Sequence, residues 1–374
     1  MGNDAAVLIV AISGRALAAS ARRGGYRPLV TDMFGDEDTV KAAHAHVRLI
    51  GNLASGIKEQ VLLEALETLS EGQEPVGIVC GTGFEDRTQL LHRLAERWRL
   101  LGNGADVVAK AKDPEVLASM CAGFAVQFPE ISLSKPSSNL DGWLTKRKGG
   151  AGGSHIKTAS QSSDGRGAVY YQRKVPGTPT AASFLADGER AVILGFSTQW
   201  PSPTPRQPYR YGGAVRPAQL APRTADLLAA VVHQITPAMS LVGLNSADFL
   251  VDGDRFWLLE INPRPGATLD IFETTDSSLF AQHVAACGGR LINRSRHPRG
   301  AAAAEIVYAD DDIPALPVLT WPEWITDRPL AGSTIKAGEP VCTVHARSLE
   351  AAGARGLADK RRETVLSWTR TRNL

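Results

Sequence analysis

Asn245-Ser246-Ala247-Asp248-Phe249-Leu250-Val251-Asp252-Gly253-Asp254-Arg255-Phe256-Trp257-Leu258-Leu259-Glu260-Ile261-Asn262-Pro263-Arg264-Pro265-Gly266 is the stretch that organises this 374-residue chain. Two short apolar runs flank Asp252-Gly253-Asp254, a β-hairpin turn signal. The first run holds Asp248. The second holds Glu260 and Asn262, which on a strand point to one face. Arg264 continues the alternation and sets a fixed cation beside them. Hard oxygen ligands on one sheet face suit Mg²⁺, which usually arrives with substrate phosphates. A solvated surface hairpin is the competing reading, but so regular a polar row is uncommon inside two apolar strands unless it is used.

Upstream, Trp143-Leu144-Thr145-Lys146-Arg147-Lys148 runs into Gly149-Gly150-Ala151-Gly152-Gly153-Ser154-His155-Ile156. A strand that ends in basic residues and opens into bare backbone lets N–H groups close on phosphate oxygens. The run fits neither G-x-x-x-x-G-K-[ST] nor G-x-G-x-x-G, so neither the P-loop nor the dinucleotide fingerprint applies. Between the two stretches, 168–179 reads as a strand and a turn containing Gly177. Earlier still, Lys110 and Lys112 precede Asp113-Pro114-Glu115, where Asp113 is a good helix N-cap and Pro114 a good first helical residue.

These four stretches together resemble the ATP-grasp superfamily, in particular its carboxylate–amine ligases, whose metal signature is an acid on one strand followed by Glu-x-Asn-x-Arg on the next. The resemblance implies an α/β chain with the ATP-grasp fold. A parallel α/β preATP-grasp domain would occupy 1–105, a nucleotide- and metal-binding α+β region 106–295, and a small β-rich module with a terminal helix 296–374. ATP and Mg²⁺ are the cofactors it implies, with Asp248, Glu260 and Asn262 as metal ligands. Lys112 and Lys146 would meet the phosphates, with Lys110 left open as a competitor of Lys112. Gly149, Gly150, Gly152, Gly153 and Ser154 would form a flap over them, and Gln172 and Val175 would offer main chain to adenine. Arg173 and Lys174 stand where many relatives carry an acid, so no residue is assigned to the ribose.

The implied reaction activates a carboxylate by γ-phosphoryl transfer, lets an amine attack the acyl phosphate, and releases ADP and phosphate. Arg264 and Lys146 are the implied catalytic cations. A looser similarity, prompted by 143–156 and 260–266, is to amino-acid ligases of methanofuran- and methylofuran-type one-carbon cofactor synthesis. A carboxylase or purine-type ATP-grasp enzyme acting on bicarbonate or formate is an alternative. So is a non-catalytic ATP-binding sensor, against which the intact Asp248, Glu260 and Asn262 weigh.

The first block alternates strands at 7–12, 27–31, 47–50 and 76–80 with helices at 15–24, 58–70 and 89–99, the pattern of an open parallel sheet. Ligands of such sheets sit beyond the strand C-termini. Ser13, Arg15, Asp32 and 81–86 fall there, and Arg15 and Glu85, with Arg264, are the expected substrate contacts. Downstream, helices are expected at 224–239, 279–287 and 357–369. The segment 199–222 reads as a long irregular loop of the lid or binding kind, 266–273 as a closure over the reacting groups, and 332–344 as turn–strand–turn–strand.

Charged residues make up 21% and nearly cancel at net +2, which creates no pressure toward nucleic acid or an acidic membrane surface. Four scattered cysteines without C-x-x-C spacing argue against zinc and a disulfide framework and fit a reducing cytoplasm. The apolar run 5–12 is too short for a signal peptide or a membrane span. The expected partners are a small-molecule carboxylate and an amine, without nucleic acid or membrane, and a homodimer is one assembly the resemblance allows.

Overall fold

The computed structural model describes residues 4–51, 56–162, 168–292 and 298–370. Its first sheet grows from β1 (Ala5–Ala11), buried from Ala6 onward. An apolar run without alternation suits a parallel strand covered on both faces. Then follow α1 (Arg15–Arg23), β2 (Tyr26–Asp32), α2 (Glu37–Ala42), β3 (Ala45–Arg48), α3 (Glu59–Ser70), β4 (Ile78–Cys80) and α4 (Thr88–Arg97). The four strands are parallel in the order β3-β2-β1-β4. The expected βα alternation is present, with α2 as an additional helix. The loops after β1 and β4 meet where Ile12 N donates to Thr82 O at 3.0 Å.

Two short helices lead onward, α5 (Ala105–Ala111) and α6 (Pro114–Gly123). Asp113 caps α6 by accepting from the N–H groups of Glu115 and Val116. A small antiparallel sheet contains β5 (Ile131–Ser132), β6 (Trp143–Arg147), β7 (Lys157–Thr158) and β8 (Val169–Arg173), in the order β5-β8-β6-β7. The glycine-rich run joins β6 to β7.

The large sheet is antiparallel and has eight strands: β9 (Thr178–Asp187), β10 (Ala191–Pro201), β11 (Tyr211–Arg216), β12 (Val242–Asp252), β13 (Arg255–Asn262), β14 (Ala301–Tyr308), β15 (Ile325–Thr326) and β16 (Pro340–Ser348). Their order is β13-β12-β9-β10-β11-β14-β16-β15. The accompanying helices are α7 (Pro222–Met239), α8 (Leu269–Phe272), α9 (Leu279–Cys287) and α10 (Ala351–Arg370). One apolar core joins the two large sheets, with Val7, Leu17 and Val30 packed in the same cluster as Leu185, Leu244 and Phe280. No helix among the described residues is long and apolar enough to cross a membrane.

Three expectations are corrected. The segment 199–222 is not one loop, because β10 runs to Pro201 and β11 lies in the middle of the sheet. Its Gly212-Gly213 pair hides it: a Cβ on Gly213 would lie 2.5 Å from Ala304 O and 2.6 Å from the Trp200 ring, so only bare backbone fits. The segment 266–273 is no cover over reacting groups, since Leu269, Ile271 and Phe272 of α8 are buried in the core. In 332–344 the first expected strand reduces to a single bridge, Ile335 to Ile313, and the second begins at Pro340. The strands of the C-terminal segment also continue the central sheet, through β11 to β14 pairing.

Candidate active site

The hairpin β12–β13 carries the acids. Asp248 lies across from Glu260, and Ser246 across from Asn262. A bulge between Asp248 and Phe249 tightens the local twist there. Asn262 is the hub of the row. Its Nδ2 donates to Asp248 Oδ2 at 2.9 Å, and its Oδ1 accepts from Lys112 Nζ at 2.7 Å and from Arg264 Nη2 at 3.4 Å. Lys112 Nζ also stands 3.7 Å from Glu260 Oε1. Lys112 is the C-cap of α5 and is buried in this cluster, whereas Lys110 is exposed.

Burial and the neighbouring Glu260 charge push the Asp248 carboxyl upward against Lys112, Arg264 and the Asn262 hydrogen bond. Burial acts the same way on Glu260, but Lys112, Lys146, His155 and Arg264 outweigh it and hold that carboxyl low. Two close acids, one of them strained toward its neutral form, are a natural seat for a hard cation. Among the described residues no group of three His, Cys, Asp or Glu side chains could hold a metal ion. A Mg²⁺ ion here would therefore complete its shell with water or phosphate oxygens, the usual habit of that ion. On that test the donor set fits.

Arg264 joins this row to the first sheet. Its Nε donates to Glu85 Oε1 at 2.5 Å, while Glu85 Oε2 accepts from Gly83 N at 2.8 Å and Phe84 N at 3.0 Å. Burial would raise the Glu85 carboxyl, but Arg264, Lys112 and the backbone donors hold it at about 2. Arg264 and Glu85 are thus partners of each other, where the sequence suggested two separate substrate contacts. An open cleft of about 370 Å³ beside them is bounded by Gly81, Phe84, Asn103 and Pro263.

The glycine-rich run covers the other side. Gly149, Gly152 and Gly153 have φ of 70°, 69° and 72°, where side chains are disfavoured. A Cβ on Gly149 would lie 2.6 Å from Glu85 O, one on Gly150 2.5 Å from the His155 ring, and one on Gly153 2.0 Å from Tyr209 O. Tyr211 N donates to Gly152 O at 2.9 Å, which ties the far end of the run to β11. A cleft of about 300 Å³ between this run and the hairpin is lined by Lys112, Arg147, Gly149, Gly150, His155 and Glu260. Lys146 is buried; burial lowers its pKa against the pull of Glu260 and Asp248. Leu144 lies opposite Gln172 and Lys146 opposite Tyr170, so Lys146 and Gln172 share one face of the small sheet. Gln172 is 1% exposed and its Nε2 has no partner among the described residues. Ser154 is exposed at the end of the glycine run, and Val175 is half-buried in the turn between β8 and β9.

Arg15 is committed elsewhere. Its guanidinium grips Asp270 at 2.5 and 2.8 Å and Asp327 at 3.1 and 3.3 Å, pinning α1 to α8 and to the segment after β15. With both edges occupied and 7% exposure, it is withdrawn from the acceptor role expected of it. Arg15→Ala should cost about 3 kcal/mol, because two partly buried carboxylates lose their shared, buried cation. Denaturant unfolding measures this. A variant of unchanged stability with a raised KM for one substrate alone would return Arg15 to the substrate pocket.

Sequence reasoning passed over three residues. Asn103 Nδ2 lies 3.0 Å from Val242 O, 2.9 Å from Asn245 Oδ1 and 3.0 Å from Pro263 O, and its Oδ1 accepts from Val242 N at 2.8 Å. It thereby fixes both ends of the hairpin. Gln199 Nε2 reaches Asp248 Oδ1 at 3.4 Å from within the supposed loop. His155, half-buried beneath the glycine run, is held at about 4 by loss of solvent against the pull of Glu260. Only His155 carried a local signal, its place inside the quoted run.

Residues 116–268 match the family model ATP-grasp_3, an ATP-grasp domain. A 98-residue segment is 28% identical to a formate-dependent phosphoribosylglycinamide formyltransferase of Acinetobacter baumannii, covering 26% of this chain and 24% of that one. The chain therefore matches about a quarter of that relative's length. An uncharacterized protein of Methanocaldococcus jannaschii is 20% identical over 369 residues, or 93% of this chain and 89% of its own. Among solved structures, biotin carboxylase from Campylobacter jejuni in its β-γ-ATP complex superposes with a TM-score of 0.74 at 15% identity, covering 98% of this chain and 95% of that one. The biotin carboxylase domain dimer of Hydrogenobacter thermophilus 2-oxoglutarate carboxylase, in complex with MgADP, ADP and bicarbonate, gives 0.71 at 13%, over 96% and 89%. N5-carboxyaminoimidazole ribonucleotide synthetase from Thermotoga maritima gives 0.67 at 14%, over 96% and 98%. At such identities these likenesses establish the fold. The chain carries an ATP-grasp domain across residues 116–268, within an ATP-grasp fold that takes in the N-terminal parallel sheet and the antiparallel central sheets.

Proposed function

We propose that this protein is an ATP-dependent ligase that activates a carboxylate as an acyl phosphate for attack by an amine, releasing ADP and phosphate. The observation that carries the reading is the facing pair Asp248 and Glu260, joined through Asn262 to Lys112 and Arg264 beneath a glycine run. Three acids (Asp248, Glu260, Glu85) stand among three cations (Lys112, Lys146, Arg264), so the cluster is nearly balanced by itself. A triphosphate entering it brings charge that only added cations can offset. Mg²⁺ held by Asp248, Glu260 and Asn262 would supply that charge neutralisation.

The chain's own residues supply alignment. Lys112 and Lys146 present ammonium groups to the phosphates, and the bare N–H groups of 149–154 close over them. Gln172, with its free Nε2, and the main chain of Val175 take the base. Arg264 faces the transferring phosphoryl group and the carboxylate it meets. No general base is assigned, and positioning with charge stabilisation accounts for the rate.

A second reading has a specific observation behind it. The formyltransferase-like segment and the carboxylase-like fold favour formate or bicarbonate as the carboxylate. One-carbon cofactor synthesis and a homodimer are parts of the proposal that rest on the sequence resemblance, and a cytoplasmic location rests on the four scattered cysteines.

A product assay over a panel of carboxylates and amines tests the reaction. ADP and phosphate should form only with a carboxylate present, and hydroxylamine should trap the activated acyl group as a hydroxamate. AMP as the product points instead to an adenylating enzyme. Full-rate hydrolysis without an acceptor points to a plain ATPase.

A further inference from the structure

We propose that Glu85 is a positioning residue that sets the Arg264 guanidinium for phosphoryl transfer, and that it needs both carboxylate oxygens to do so. The proposal rests on Arg264 being the cation at the transfer point. Among the contacts of that guanidinium, the bond from Nε to Glu85 Oε1, at 2.5 Å, is the short one. Nη1 reaches Pro265 O at 3.2 Å and Nη2 reaches Asn262 Oδ1 at 3.4 Å. Holding Nε fixes the plane of the fork and leaves both Nη groups on the far edge to meet an anion.

Glu85 is itself anchored. It is 5% exposed, and Oε2 is spent on the N–H groups of Gly83 and Phe84. The loop after β4 thus dictates the aim of a side chain 179 residues away, at the end of β13. The same residue touches the flap, because Gly149 approaches Glu85 O too closely for any side chain. Acceptor-side sheet, flap and transfer cation meet at this one position.

A glutamine is the sharp probe. It has one acceptor oxygen where Glu85 uses two. Turned to Arg264, that oxygen leaves an NH₂ facing the Gly83 and Phe84 N–H groups. Turned to the backbone, it leaves the NH₂ facing Nε–H. The isosteric change therefore breaks the arrangement almost as fully as truncation does. Glu85→Asp keeps two oxygens at shorter reach and should lose less.

The experiment measures kcat and KM for ATP in Glu85→Gln, Glu85→Asp, Arg264→Ala and the double variant Glu85→Gln/Arg264→Ala, with thermal melts as controls for folding. Glu85→Gln should lower kcat by roughly tenfold to a hundredfold, the range for one charge-assisted hydrogen bond, and leave KM for ATP within about twofold. Glu85→Asp should keep a higher kcat than Gln; where Gln folds poorly, Glu85→Asp is compared with the parent and with Arg264→Ala, and its kcat should fall between them. In the Arg264→Ala background Glu85→Gln should add less than about twofold, because the partner it acts through is gone.

With Arg264→Ala impaired, three results each overturn the positioning role alone. They are a fully active Glu85→Gln, an aspartate no better than glutamine, and a glutamine effect undiminished in the double variant. A fully active Arg264→Ala overturns the reading of Arg264 itself, and this inference with it.

Discussion

A folded Glu260→Gln enzyme should lose turnover by ~10²-fold or more, the usual scale for removing one preorganised electrostatic contact. Glu260 lies opposite Asp248, 3.7 Å from Lys112, and the cations Lys112, Lys146 and Arg264 keep it ionised despite burial. Glutamine preserves the volume and the strand, so the melting transition should move little. The loss is of charge. Asp248, relieved of its neighbour's repulsion, should ionise more readily in the variant, but one acid replaces two. The Mg²⁺ concentration for half-maximal activity should therefore rise along with the fall in kcat. An ADP-release assay across a Mg²⁺ titration reads both. Near wild-type ADP production from a folded variant would remove Glu260 from the metal set.

The contrast between β13 and β14 explains what the sequence could disclose. On β13 the alternation of Glu260 and Asn262 with Leu259 and Ile261 encodes a strand and a polar row at once. On β14, Ala301–Tyr308 begins with four alanines, which carry no β signal and favour helix in isolation. Their smallness is what the strand needs, since α10 packs against that stretch and Ala301 and Ala303 share a cluster with Ala354 and Ala358. β11 is hidden in the same way by two glycines under the Trp200 ring. In both strands tertiary packing overrides local propensity.

The site shows the same division. The ligands within one hairpin, and the helix cap that places Lys112, have short-range signatures. The partners of Arg264 and Arg15 do not. Glu85 precedes Arg264 by 179 positions, and Asp327 follows Arg15 by 312. Nothing in a run of residues distinguishes a loop acid that meets substrate from one that holds another side chain. Only the closing of the first sheet onto the second makes that difference.

The glycine run supplies the last contrast. Gly152 and Gly153 are adjacent, nearly identical in φ, and expected to respond very differently to one added methyl. Alanine at either position must hold a left-handed backbone, which costs ~1–2 kcal/mol. At Gly152 nothing lies within 4 Å of the new Cβ, so strain is the whole effect. At Gly153 the Cβ would sit 2.0 Å from Tyr209 O, a backbone atom held by the turn between β10 and β11. That turn cannot yield as a flexible side chain tip could, so the run must lift away from it. Nucleotide affinity should fall by about tenfold for Gly152→Ala and by roughly a hundredfold for Gly153→Ala, given that each 1.4 kcal/mol is tenfold. Both melts should stay close to the parent, because neither residue belongs to an apolar core. Calorimetric titration with MgATP measures the pair side by side. Equal losses at the two positions would mean that docking on Tyr209 is no part of the nucleotide-bound shape, and that the run closes on phosphate from some other anchor.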